Sequence, residues 1–268
     1  MRAAFLQFDV AFGEKSKNLD TVEKILSKQH RDFDLLVLPE LFNSGYLFSS
    51  HEELAQLAEA AEDGMTSRRL REWAQTFRAF IVAGIPERDG ECIYNSAILV
   101  GQDGVAGCYR KIHLFDTEKY WFTPGNRPFA VFDIDFARIG IMICFDWISP
   151  ESARSLALLG AEIICHPANL VLPYCQRAMV TRSIENSVFT ITANRIGTEH
   201  RAGRGLTFTG ASQILDTRGK PLVSASAKEE CLRIAEIDPA QARDKNITET
   251  NHLFNDRRPT LYFSGTKK

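Results

Sequence analysis

The chain has 268 residues, 44% of them hydrophobic and 25% charged, with a formal net charge of −2. That is the profile of an ordinary globular protein long enough to bury a substantial core. A near-neutral balance supplies no electrostatic reason to bind nucleic acid or an anionic membrane, so neither is expected as a partner.

The opening Met1–Asp9 is too short an apolar run for a signal peptide and reads as a first strand. No stretch approaches the ~20 apolar residues of a membrane-spanning helix. Cys92, Cys108, Cys144, Cys165, Cys175 and Cys231 are scattered, with no C-x-x-C pair. This predicts free thiols in a reducing cytoplasm and argues against a structural zinc site. The helical spacing of Leu19, Val22, Ile25 and Leu26 predicts a helix over 18–31. The apolar run Asp34–Glu40 suits a strand buried on both faces, stopped by Pro39. Two helices are expected over 52–62 and 66–78, the second capped around Thr66-Ser67. Strands over 79–85, 93–100 and 105–111 are separated by the turn signals Arg88-Asp89-Gly90 and Gln102-Asp103-Gly104. Phe129–Ile134 and Ala137–Cys144 read as two more strands. A helix over 150–160 follows, with Pro150 in its first turn and Gly160 past its end. Strand Glu162–His166, helix 175–187, strand Val188–Asn194 and a hairpin across Asp216–Gly219 complete the alternation. Beyond Asp238 the chain turns polar and reads as an extended tail, so a single domain spans 1–268, with 239–268 as its tail.

Two segments echo each other. Asp34–Leu41 resembles Glu162–Leu170, and Tyr94–Leu99 resembles Phe208–Leu215, in the same order. Either the chain contains two related α/β halves or buried strands have converged by chance.

Three residues at strand ends could carry chemistry. Cys144 follows Ile139–Ile143 and precedes a helix, a turn that exposes a nucleophile near backbone N–H groups. Those donors and the helix dipole favour thiolate and an oxyanion. A buried cysteine serving as a small hydrophobe is the alternative. Glu40 sits where α/β folds place ligands, although a helix cap or surface acid would also fit. Lys111 ends a strand, and its ammonium can reach a carboxylate in a pocket. A protease-like pairing of Cys144 with His113 or His166 lacks matching flanking residues.

Leu38-Pro39-Glu40, Tyr109–Leu114 and Ile143-Cys144-Phe145-Asp146 together resemble the signature blocks of the nitrilase superfamily of carbon–nitrogen hydrolases. So do Phe122–Gly125, His166–Asn169, Arg182–Asn186, Phe208–Ser212 and Asp256–Pro259, so the resemblance spans nearly the whole chain. It implies an α/β fold, a four-layer α-β-β-α sandwich of two pseudo-symmetric halves. It further implies Cys144 as nucleophile, Glu40 as general base, Lys111 as oxyanion stabiliser and Glu118 as the second acid holding the lysine. No cofactor or metal is implied. The backbone N–H of Phe145 is expected in the oxyanion site. Phe42, Tyr46, Phe115, Trp147 and Asn169, just past strand ends, are candidate substrate contacts, with plain packing as the alternative for each. The implied reaction is hydrolysis of a non-peptide carbon–nitrogen bond through a cysteine thioester, with water or an amine as acceptor. Phe145-Asp146 looks like the amidase-type branches. Trp147 and Ile148 stand where carboxylate-binding branches carry arginine, which points to a small neutral amide; Arg127 and Arg177 are other sources of positive charge. A small nitrile is the alternative substrate. Family members form homodimers, with the tail often crossing to the partner, and a homodimer or larger homo-oligomer is expected here.

Overall fold

The computed structural model describes residues 1–28, 33–201 and 203–262. Its first half comprises β1 (Arg2–Gln7), α1 (Lys15–Ser27), β2 (Leu35–Val37), α2 (His51–Leu57) and α3 (Met65–Phe77). An antiparallel run follows: β3 (Phe80–Asp89), β4 (Cys92–Gly101) and β5 (Gly104–Arg110). The short α4 (Glu118–Trp121) leads to β6 (Val131–Ile134) and β7 (Ala137–Ile141). Next come α5 (Pro150–Leu158), β8 (Ile163–Pro167), α6 (Cys175–Asn186) and β9 (Phe189–Ala193). The hairpin β10 (Thr198–Arg201) and β11 (Arg204–Thr207) precedes β12 (Gln213–Leu215), β13 (Pro221–Ser224) and β14 (Cys231–Glu236).

Two six-stranded sheets result, ordered β14-β1-β2-β3-β4-β5 and β13-β12-β9-β8-β7-β6. The orders match strand for strand. β1, β2 and β3 are parallel, as are β7, β8 and β9, and each trio is flanked by antiparallel neighbours. The sequence echo therefore has a topological basis: β2 and β8 occupy equivalent central places, as do β4 and β12.

Side-chain alternation serves two cores at once. Ala3, Phe5, Leu35 and Val37 enter the core between the sheets, whereas Ala4, Leu6 and Leu36 enter the one beneath α1 and α3. Leu19, Val22 and Leu26 of α1, with Leu70 and Trp73 of α3, complete that outer core. The sheets meet where β1 touches β9 and β2 touches β8, while α5 packs on β7 and α6 on β9 and β12. The order of layers is helix, sheet, sheet, helix.

Several boundaries differ from expectation. The first helix starts at Lys15, and its expected end at 29–31 lies outside the described residues. Leu35–Val37 is a short strand because Pro39 cannot extend the ladder and Leu41 turns the chain at φ 49°. The helix expected over 52–62 stops at Leu57. Gly64, not Thr66 or Ser67, caps α3; Thr66 lies in its first turn, with its N–H donating to Glu59 Oε2 at 3.1 Å. β7 ends at Ile141 rather than Cys144. The β10–β11 hairpin and β14 are absent from the sequence reading. β14 is a half-buried edge strand whose partner, β1, lies at the other end of the chain, so no local pattern announces it. The described part of the tail folds back on its own half. Lys245 Nζ donates to Asn186 O at 2.9 Å and Ser187 O at 2.8 Å, and Phe254 lies under the Arg154 guanidinium. Residues 263–268 of the tail lie outside the described residues.

Candidate active site

Glu40, Lys111 and Cys144 each follow a strand end, and Glu118 joins them from a helix start. Glu40 follows β2, and β3 passes so closely that a Cβ on Gly84 would lie 2.5 Å from Glu40 Cα. Only glycine permits that approach. Lys111 follows β5, its N–H bonded to Asn95 O at 2.8 Å. Glu118 opens α4. Cys144 begins a 3-10 turn, Cys144–Ile148, three residues beyond β7, at φ 40°. A non-glycine residue in the left-handed region is uncommon and marks a position held by its surroundings.

Lys111 is the hub. Its ammonium donates to Glu40 Oε1 at 2.7 Å and Glu118 Oε1 at 2.8 Å, and all three groups are buried. Asn95 Nδ2 also donates to Glu40 Oε1, at 2.7 Å. Glu118 Oε1 accepts from Tyr46 OH at 2.6 Å and its Oε2 from Phe115 N at 3.1 Å. Glu40 Oε2 is buried with no hydrogen-bond partner among the described residues. Burial works against the Lys111 charge, yet the carboxylates of Glu118 and Glu40 prevail and raise its pKa, so it stays an ammonium. Burial, together with the Glu40 charge, raises the Glu118 carboxyl, while Lys111 and Tyr46 oppose the shift.

The Cys144 thiol is pushed well above its ordinary range, first by burial and then by the Glu40 carboxylate. Lys111 and the backbone N–H of Asn169 pull it the other way without prevailing. This corrects the expectation that local donors favour thiolate: at neutral pH the resting group is a thiol, and a base must remove its proton. Both Glu40 and Lys111 lie close enough for their charges to act on the sulfur.

The strained turn is pinned from three sides. Asp146, fully buried, accepts from Ile143 N and Tyr109 OH, each at 2.8 Å, and contacts His113 Nδ1 at 2.7 Å. His166 Nε2 donates to the Cys144 carbonyl at 2.9 Å, and its Nδ1 faces Thr192 Oγ1 at 3.2 Å. A carbonyl can only accept, which assigns the His166 proton to Nε2. Burial lowers the His166 pKa to about 4. A neutral imidazole committed to the Cys144 carbonyl does not act as the thiol's base, which removes the Cys–His pairing for His166. His113 is likewise engaged with Asp146.

A narrow cleft beside Cys144 is lined by Phe115, Phe145, Trp147, Asn169, Leu170, Val171 and Leu172, with a cavity volume of about 10 Å³, roughly room for one water. Of the expected contacts, Phe115, Trp147 and Asn169 are therefore in the cleft, with Phe145. Tyr46 stands one ring out, on Glu118. Phe42 is elsewhere: it packs in the core beneath α1 and α3. Arg127 and Arg177 are exposed and do not line the cleft. A wider groove, about 610 Å³, runs between residues 133–138, 160–162 and the tail, and holds no cysteine. Volume alone does not locate the chemistry.

Sequence reading missed an outer ring of support. Arg195, fully buried, pairs with Glu199 and with Asp9 Oδ1 at 3.1 Å, and donates to Val10 O at 2.8 Å. Glu199 in turn accepts from Tyr46 N at 3.2 Å and Leu47 N at 2.8 Å. The second half thus clamps the loop whose Tyr46 holds Glu118. The available signal was a charge, Arg195, two residues after the apolar strand ending at Ala193, with Glu199 four residues further on. Asn95 carried a similar one, a polar residue within an apolar strand.

Comparison with known proteins places the chain in a family. The family described as carbon-nitrogen hydrolase matches residues 2–246. A relative from Pyrococcus abyssi named nitrilase is 46% identical, covering 98% of this chain and 99% of its own. The solved carbon-nitrogen hydrolase of Helicobacter pylori G27 superposes with a TM-score of 0.84 at 28% identity, covering 98% and 97%. A glutamate-to-glutamine mutant of the Nesterenkonia sp. AN1 amidase superposes with a TM-score of 0.79 at 25% identity, covering 97% and 95%. That structure shows covalent addition of the acetamide moiety of fluoroacetamide at the active site cysteine. Fold, family profile and full-length relatives converge: this chain belongs to the carbon–nitrogen hydrolases of the nitrilase superfamily.

Proposed function

We propose that the chain hydrolyses small, uncharged linear amides through a thioester on Cys144. The observation that carries this reading is the buried cluster in which Lys111 bridges Glu40 and Glu118 beside a protonated thiol. Glu40 takes the thiol proton through its free Oε2 as the sulfur adds to the amide carbon, and the C=O π electrons move to oxygen. Lys111 and the Phe145 N–H meet that oxyanion, an effect of roughly 3–4 kcal/mol per well-placed donor. The tetrahedral adduct collapses: the C–N bond breaks, the nitrogen takes the proton from Glu40, and ammonia or an amine leaves. Glu40 then deprotonates water, whose oxygen adds to the thioester. Collapse expels the thiolate, which recovers its proton, and releases the carboxylic acid. Glu118, itself held by Tyr46, holds Lys111 throughout.

The cleft supports a neutral acyl group, since beside Cys144 and Asn169 its walls are Phe115, Phe145, Trp147, Leu170, Val171 and Leu172, with no charged side chain among them. A nitrile is the second reading, favoured by the name of the Pyrococcus relative, because the same thiol can add to either carbon. A homodimer is supported by exposed Ile148, Leu158, Leu159 and Ile184 on and beside α5 and α6, apolar groups that gain by being covered. Crossing of the terminal tail to a partner belongs to the same proposal. No helix among the described residues is long and apolar enough to cross a membrane.

The test is ammonia release from a panel of short aliphatic and aromatic amides and the matching nitriles, with wild type and Cys144→Ala. Amides should be turned over faster than nitriles, and Cys144→Ala should be inactive with an unchanged melting temperature. Full activity in Cys144→Ala overturns the nucleophile; faster nitrile turnover makes the second reading the correct one.

A further inference from the structure

Asn169 has a side chain with nothing to do in the protein alone. It lies two residues past β8, is 2% exposed and lines the cleft beside Cys144. Both Nδ2 and Oδ1 are buried without a hydrogen-bond partner among the described residues. Nearly all buried polar atoms are paired, so a carboxamide with donor and acceptor both unused calls for an explanation. Loose local backbone does not supply one. Ala168 N donates to Ala193 O at 2.9 Å, Leu170 N to Asn194 Oδ1 at 2.9 Å, and Thr209 N to Leu170 O at 2.8 Å. The neighbouring buried Asn194 shows the contrast, since its Nδ2 also donates, to Gly210 O at 2.7 Å. The chain on either side of Asn169 is thus fixed, and its amide is presented to the cleft.

Resting on the amide-hydrolase reading above, we infer that Asn169 reads a primary carboxamide edge-on and makes the enzyme selective for substrates that end in C(=O)NH2. A primary amide carries, on one edge, a carbonyl acceptor and the N–H syn to it. An asparagine side chain is the complement of that edge: Oδ1 accepts the N–H, and Nδ2 donates to the carbonyl oxygen alongside Lys111. A trans N-substituted amide places its substituent on this edge and blocks the pairing. A nitrile has no N–H, so Oδ1 stays buried and unpaired. The released product is then ammonia rather than an amine.

The experiment takes the best primary amide of the panel above, its N-methyl derivative and its nitrile. It measures kcat/KM for wild type, Asn169→Leu and Asn169→Ser. Wild type should prefer the primary amide to the N-methyl amide by at least about 100-fold. In both variants the amide-to-nitrile ratio of kcat/KM should fall by roughly 10- to 100-fold. Asn169→Leu should melt no lower than wild type, because it replaces unpaired polar atoms with an apolar group of similar size; a scaffold role would lower the melting temperature and leave the ratio alone. Asn169→Ser serves if leucine does not fold. An unchanged ratio, or equal turnover of the N-methyl amide by wild type, overturns the inference while leaving the hydrolase reading intact. Wild type inert on every amide of the panel overturns that reading instead.

Discussion

Replacing Glu40 with glutamine should pull apart two properties that normally move together, turnover and cysteine reactivity. Glutamine matches glutamate in shape, and its carbonyl can still accept from Lys111 Nζ and Asn95 Nδ2, which now sit 2.7 Å from Oε1. What changes is charge and proton capacity. The substitution takes away one of the two carboxyl groups that Lys111 bridges. Loss of a general acid–base group costs about 10²- to 10⁴-fold, so kcat/KM for an amide should drop by at least that range, roughly 3–5 kcal/mol. The same substitution removes a negative charge that holds the thiol up, while Lys111 remains. The thiol pKa therefore falls, more thiolate is present at pH 7, and iodoacetamide should alkylate Cys144 faster than in wild type. The assay pairs ammonia release with mass-spectrometric labelling rates across pH 6–9, in Glu40→Gln and wild type. Labelling that slows in step with turnover, or that first modifies another cysteine, refutes the electrostatic reasoning. Burial raises Cys165 and Cys175 as well, Cys108 to about 12 and Cys231 to about 11, and the half-exposed Cys92 is the thiol whose labelling is followed as the internal reference.

Tyr46→Phe deletes one hydrogen bond to a buried carboxylate, of about 1.5–3 kcal/mol. Because that bond lowers the Glu118 pKa, the carboxyl should rise further. The acid limb of kcat/KM should then move to higher pH, with a loss of up to roughly 10- to 100-fold at pH 7; an unmoved acid limb counts against Tyr46 as a positioning group. Glu199→Gln breaks a buried ion pair from one side and leaves Arg195 short of a partner, a loss of about 3–5 kcal/mol and roughly 5–15 °C in Tm. Thermal melts equal to wild type would show that Asp9 and the Val10 carbonyl suffice. Glu118 also has a sign in the pH dependence of stability. Its folded pKa is raised, so ionising it costs the fold free energy that appears as pH climbs through the unfolded carboxyl value toward the folded one. Glu118→Gln should therefore flatten the loss of denaturant stability over that rise, and an unchanged profile would oppose the assignment.

Local chemistry was legible from the chain alone. Apolar runs stopped by Pro39, by Arg110-Lys111 and by Cys144 carry their own signal, because a strand that ends in a charged or reactive residue departs from the pattern that surrounds it. The equivalence of β2 with β8 and β4 with β12 was also visible, since equal burial on both faces imposes similar residues. Three things required the folded molecule. The partner of β14 is β1, and a half-buried edge strand has no signature without its neighbour. The thiol's protonation depends on how completely burial and Glu40 outweigh Lys111, a balance set by distances and not by residue type. Arg195 and Glu199 brace the site from a remote part of the chain, and the sequence marks Tyr46 and Asn169 only as candidate contacts, without showing that one holds Glu118 and that the other's amide is left idle. Sequence records which groups exist and how the chain alternates; only packing decides which of them meet, in what dielectric, and which are left without a partner.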